Sequence, residues 1–210
     1  MQRNLLLSLL IWLLELILVA GFVSDHWTRE IQTAEDQMMT SYFGVEKEAE
    51  IRLNTQKWFD RLFVKTGIRS SIYHYFIPTE HERQLSIGFE EVGRHDLFPF
   101  IQSRLDVLMD TLYQMIKRFV MAGVWLPFLV ITLPPFIIDG LIQRKISQTN
   151  FDYPSPLIHR YCLYSIMGAI YLLFVGLTLP FPVPPQAIPT GIFVVAFALK
   201  ILLANTQKRV

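Results

Sequence analysis

The residues best placed to do chemistry are one acid inside an apolar run and a loose gathering of histidines and carboxylates. Glu15 interrupts the leucine-rich run of residues 5–23. A carboxylate at the centre of a bilayer costs about 2.5–3.5 kcal/mol on insertion scales, so it must be protonated, paired or turned toward protein. Three roles are open to it: a protonated packing residue, a contact to a basic or polar group of another membrane subunit, or a proton relay. The relay has the least support, because no second acid or histidine lies within the apolar runs. His74, Glu80, His81, Glu82 and His95 are neighbours in sequence. Their spacing matches neither HExxH nor a compact zinc pattern, so surface and loop positions are expected for them. The sequence has no glycine-rich phosphate loop, no GxSxG and no Cys–His pair. No catalytic set, metal site or cofactor site is therefore expected. Cys162 is the single cysteine and sits in an apolar run. It excludes an internal disulfide and reads as a small buried hydrophobe.

Positioning falls to four apolar runs in a chain of 210 residues. A helix needs about 20 apolar residues to cross a bilayer core about 30 Å thick. The first run, residues 5–23, has only Arg3 before it and is long for a signal peptide. Val19 and Gly21 would suit a cleavage site, but an uncleaved anchor is the expectation. The second, residues 119–138, is uncharged and contains Pro127, Pro134 and Pro135. Membrane helices tolerate such prolines, and a kink near Pro134 is expected. The third, residues 161–181, carries Ser165 and Ala169, a small-xxx-small face for close helix approach. Prolines at 180, 182, 184, 185 and 189 then force a tight extended turn. The fourth run, residues 187–204, holds Lys200 near its end, where a long side chain can snorkel to headgroups.

The resulting fold class is all-α: an integral membrane protein with four transmembrane helices and a mostly helical periplasmic domain between the first two. Residues 1–23 form the tail and first span, and 24–118 the periplasmic domain. Residues 119–210 form spans two to four, with a short cytoplasmic linker at 140–160. Orientation follows Lys and Arg in short flanking segments. Arg3, then Arg144, Lys145 and Arg160, then Lys208 and Arg209 all fall on one side, while the proline turn opposite is uncharged. Both termini are thus expected in the cytoplasm, with Lys117-Arg118 the dissenting pair.

The polar segment 24–118 carries twelve Lys/Arg against fifteen Asp/Glu. Trp58, Phe59, Phe63, Ile72, Tyr73, Tyr75 and Phe76 give it a credible core. Residues 97, 101, 105, 108, 112, 115 and 119 recur at helical spacing. That helix is expected to run straight into the second span. Its stripe, with Leu105, Leu108 and Leu112, packs either on the segment's first helix or on a neighbouring subunit, a second copy included. Asp139 and Gly140 close the second span, where Asp139 meets Arg144 or lipid headgroups. Arg144, Lys145, His159 and Arg160 face either a cytosolic partner or anionic lipid. A net charge of +1 makes no electrostatic case for direct nucleic-acid binding.

The segment Leu133-Pro134-Pro135-Phe136-Ile137-Ile138-Asp139-Gly140-Leu141-Ile142-Gln143-Arg144 resembles membrane proteins of unknown function encoded in integrating conjugative elements and related conjugative plasmids. In that family a proline-containing span ends in a similar Asp-Gly-Leu then Arg pattern, and a Ser followed by a His leads into the next span. Ser155 and His159-Arg160 are similar here, as is the apolar hairpin split by Leu179-Pro180-Phe181. The family's aromatic before the His is replaced by Ile158. The resemblance implies a non-enzymatic inner-membrane accessory of conjugative DNA transfer, partnering the coupling-protein ATPase or a subunit of the type IV secretion channel. A small transporter or channel is the alternative. Beyond Glu15, however, its path would have only Thr132, Ser165, Thr178 and Thr190 to line it.

Overall fold

A computed structural model describes residues 2–77, 98–149 and 155–206, and every described element is helical. Glu80, His81, Glu82, His95, Leu97, Lys208 and Arg209 lie outside the described residues. The chain divides into two compact units, Met1–Val120 with Leu177–Pro182, and Met121–Gly176 with Val183–Val210.

In the first unit, α1 (Gln2–Phe22) ends where Arg104 donates to the carbonyls of Gly21 and Val23, at 3.2 and 2.8 Å. Ser24 then caps α2 (Asp25–Phe43), its hydroxyl accepting from the Trp27 amide at 3.2 Å. This is the usual side-chain answer to the unpaired amides of a helix start. Gly44, at φ +84°, makes the one-residue break before α3 (Val45–Phe59). Each of these helices buries one face: Thr28, Ile31, Glu35 and Met39 on α2, and Glu48, Ile51, Thr55 and Phe59 on α3. A π-helical turn, Asp60–Val64, continues α3, and Gly67 at φ +77° leads into α4 (Ile68–Phe76).

α5 (Phe98–Val124) supplies the rest of the core. Phe59 meets Met109 and Ile116, ringed by Phe63, Ile72, Leu112, Tyr113 and Val120, and the Phe59 and Tyr113 rings meet edge-on at 5.5 Å. The buried set on α5 is rotated from the expected stripe. Val107, Thr111, Gln114 and Arg118 form a second buried face, and Phe119 is 49% exposed. α5 also stops short of the expected continuous helix, with a turn at Trp125 before α6 (Leu126–Thr149). Pro127 is the reason: it cannot donate to the carbonyl four residues back, and its ring would clash there. In the first turn of a new helix it costs nothing.

In the second unit, α6 runs through Pro134 and Pro135 and past Gly140 to Thr149. The linker expected at 140–160 is helical over residues 140–149. α7 (Pro156–Thr178) begins on a Ser-Pro start, where the Ile158 amide reaches the Ser155 hydroxyl at 3.5 Å and the His159 amide bonds the Ser155 carbonyl at 3.2 Å. α8 (Ala187–Ala204) packs on α6, with the Phe136 and Phe193 rings edge-on at 5.4 Å. Three helices are long and apolar enough to cross a membrane: Leu126–Thr149, Leu157–Thr178 and Ala187–Ala204. In α1, the segment Leu13–Phe22 is a shorter apolar stretch.

Candidate functional site

The proline-rich turn after α7 has a hydrogen-bonding deficit. A helix end leaves its last four carbonyls without intrahelical donors, and the prolines beyond it have no N–H to offer. One side chain of α5 makes up the shortfall. Arg118 Nη1 donates to the carbonyls of Leu177 (3.1 Å) and Leu179 (2.9 Å), and Nη2 to that of Phe181 (2.7 Å). Nε and Nη2 donate to Glu35 Oε1 at 2.9 and 2.6 Å. A guanidinium has five N–H donors, so each has an acceptor here. Trp27 Nε1 adds a bond to the Pro180 carbonyl at 3.0 Å.

The arrangement is buried and electrically balanced. The Arg118 and Glu35 side chains are 3% and 2% exposed. Lys117 Nζ lies 2.6 Å from Asp36 Oδ1 and 3.9 Å from Glu35 Oε2. Two cations thus meet two anions, and the Lys117-Arg118 pair carries no uncompensated charge. A lysine could not replace Arg118, because its three donors on a point charge cannot span a carboxylate and three carbonyls. A cavity of about 10 Å³ adjoins the cluster, lined by Val19, Thr28, Thr111, Gln114 and Thr178 among others. That is about the room one water needs.

Away from this cluster, burial dominates the ionisation of α5 and its neighbours. It pushes the Asp110 carboxyl up, reinforced by the nearby Asp106 charge. It also pushes Tyr73 up to about 12, helped by the hydrogen bond that Tyr73 donates to Asp106.

The second unit explains the Asp139-Gly140 pair. Lys200 Nζ lies 2.6 Å from Asp139 Oδ2. Asp139 therefore pairs with Lys200 rather than Arg144, and Lys200 reaches a carboxylate of its own chain. A Cβ on Gly140 would stand 2.7 Å from the Lys200 carbonyl oxygen and 3.1 Å from Leu203 Cβ. Only glycine lets α6 approach α8 this closely.

The other expected contact residues are dispersed. Glu15 is half-buried on α1, and no described residue pairs with it. Leu105 is buried, Leu108 half-buried, and Leu112 packs against the Phe59 core. Lys145 and Arg160 are exposed. Arg144 and His159 are half-buried, each with one guanidinium or ring nitrogen (Nε, Nδ1) enclosed without a partner among the described residues. His74 is exposed on α4. Glu35 and Arg118 were not among the expected contacts. The available signal was Glu35 itself, which falls between Ile31 and Met39 at four-residue steps on the buried face of α2.

Residues 19–208 match the family model described as IncC plasmid conjugative DNA transfer protein DtrJ-like. No curated protein and no solved structure matches the chain.

Proposed function

The chain belongs to the DtrJ-like family of conjugative DNA transfer proteins, and from that premise we propose that it is a non-enzymatic scaffold subunit of the inner membrane that associates with the coupling-protein ATPase. The observation that carries this reading is the open state of its apolar helices. Each of the three buries less than a fifth of its apolar window within the chain. Faces such as Ile131, Ile138 and Ile142 on α6 and Tyr161, Tyr164 and Met167 on α7 are left for lipid or for other membrane helices. Interfaces between membrane helices are built by packing of this kind.

α1 is the fourth membrane helix in this proposal, with both termini cytoplasmic and the polar unit in the periplasm. The ion pairs of Lys117 and Arg118 support that orientation. Once these two are paired, the remaining basic flanks of the apolar runs lie on the cytoplasmic side. Reporter fusions before Met1, at Gly44 and after residue 210 should read cytoplasm, periplasm and cytoplasm respectively. A periplasmic N-terminus with a cytoplasmic C-terminus would reduce the protein to three spans.

Affinity capture of the full chain in mild detergent is the test of association. Recovery of a membrane ATPase of the transfer machinery is expected, with loss of transfer when the gene is deleted. Recovery of the chain alone, with transfer unaffected by deletion, refutes the proposal.

A further inference from the structure

The first unit carries a charge asymmetry on its surface. Residues 24–118 hold three more acids than bases, yet residues 57–76 contain Lys57, Arg61, Lys65 and Arg69 against the single acid Asp60. All four cations are exposed. Trp58, Leu62 and Ile68 stand between them, and Tyr75 and Phe76 follow, all exposed apolar side chains. A π-helical turn lies within this segment. Its Lys65 N–H reaches back to the Asp60 carbonyl at 2.8 Å, five residues away, adding one residue to the turn. The extra residue rotates the chain beyond it by about 100° relative to an unbroken α-helix. Arg61 lies over the Trp58 ring at 5.9 Å, and Arg69 over Tyr73 at 5.8 Å.

We infer that this strip, from the end of α3 through α4, docks on an anionic lipid surface. Exposed aromatic rings alternating with long basic side chains suit the headgroup layer, where the rings enter the boundary and the cations meet phosphates. An acidic protein would answer the charges as well. The lipid surface is favoured because α5 leads within two residues into α6, an apolar helix long enough to span the bilayer. Tethering of this kind holds the strip at high effective concentration beside lipid. The inference rests on the membrane reading proposed for the chain.

The test uses the full chain in nanodiscs, with Cys162→Ala and one new cysteine, Leu62→Cys on the strip or Phe197→Cys on α8. Each is labelled with an environment-sensitive fluorophore and exposed to lipids carrying a headgroup-proximal quencher. At 62, quenching is expected in discs containing phosphatidylglycerol and strongly reduced in phosphatidylcholine discs. Each of Arg61→Gln, Lys65→Gln and Arg69→Gln should lower the docked-to-undocked ratio about fivefold, since one basic residue near such a surface contributes about 1 kcal/mol. At 197, quenching by an acyl-chain quencher is expected in both lipids. Quenching at 197 with none at 62 overturns the docking and leaves the membrane reading standing. Equal quenching at 62 in both lipids overturns the charge-based recognition. No quenching at either site overturns both readings. Protection of 62 only at high protein-to-disc ratio would assign the strip to a second copy and overturn the inference.

Discussion

Glu35→Gln should be among the most damaging conservative changes in the first unit, and its size can be worked out from the Arg118 cluster. The substitution preserves shape and one acceptor oxygen but removes the negative charge that balances a guanidinium 3% exposed. Breaking a buried pair by neutralising one partner typically costs about 3–5 kcal/mol, because the remaining charge is left uncompensated. Against total stabilities of about 5–15 kcal/mol, that is a large fraction. Asp36 would moderate the loss little, since it is already paired with Lys117 at 2.6 Å. Replacing both partners with apolar residues, Glu35→Leu with Arg118→Met, should not restore wild-type stability. The carbonyls of Leu177, Leu179 and Phe181 would then lack their donor, at about 1–3 kcal/mol for each one that stays dry. Thermal unfolding of the full chain in detergent gives the stabilities, and protease cleavage within residues 177–186 reports release of the turn. Added salt should leave the pair's contribution almost unchanged, as expected for charges shielded from solvent. An unfolding free energy within about 1 kcal/mol of wild type for Glu35→Gln (the worth of one ordinary hydrogen bond), with the turn still protected, would refute the assignment of Arg118 as its anchor.

Gly140→Ala should separate α6 from α8, because the new methyl would meet the Lys200 backbone oxygen at 2.7 Å and backbone cannot give way cheaply. Overpacking of this kind costs about 1–3 kcal/mol, measurable as a lower unfolding temperature. Asp139→Asn should lower accumulation in the membrane by stranding the Lys200 ammonium on an apolar helix, and the exchange Asp139→Lys with Lys200→Asp should restore part of it. Tyr73 gives a pH signature. Its folded value lies above its unfolded one, so its contribution is complete below about pH 10 and is lost as pH rises toward about 12. A stability profile that is flat across that window in wild type, or unchanged by Tyr73→Phe, would contradict the Asp106 hydrogen bond.

The features legible in the sequence and those that were not divide along physical lines. Apolar runs identified three long helices because length and hydropathy are local properties. The Pro127 break is local too, arising from backbone chemistry within a few residues, but the apolar run around it favours a helix continuing into the second span. Pairings were not legible. Glu35 and Arg118 are 83 residues apart, and a count of flanking charges treats every Lys and Arg as free. The Asp-Gly pair that carries the family resemblance reads locally as a helix stop. In the fold it is mid-helix, with the acid holding Lys200 and the glycine admitting the α8 backbone. The rotation of the α5 stripe has the same origin, since two separate surfaces claim that helix and periodicity alone favours one.

These pairings bear on the choice between a scaffold and a conduit. A transport path needs polar groups that can exchange partners with a moving solute, and such groups are left incompletely satisfied at rest. Arg118 has an acceptor for each of its five donors, and three of those acceptors are backbone carbonyls of a turn that prolines leave short of N–H groups. To release Arg118 would leave those carbonyls without their donor and take from Glu35 its closest cation, at 2.6 Å. Asp139 and Lys200 are similarly committed to each other beside a glycine that fixes the distance between their helices. Arg118 thus holds backbone in place, which supports the proposed scaffold over a conduit. Glu15 is different, half-buried on α1 with no described partner. If a second membrane subunit meets this protein through a polar contact, Glu15 is where crosslinking should find it, and crosslinks there to lipid alone would remove the residue from the interface.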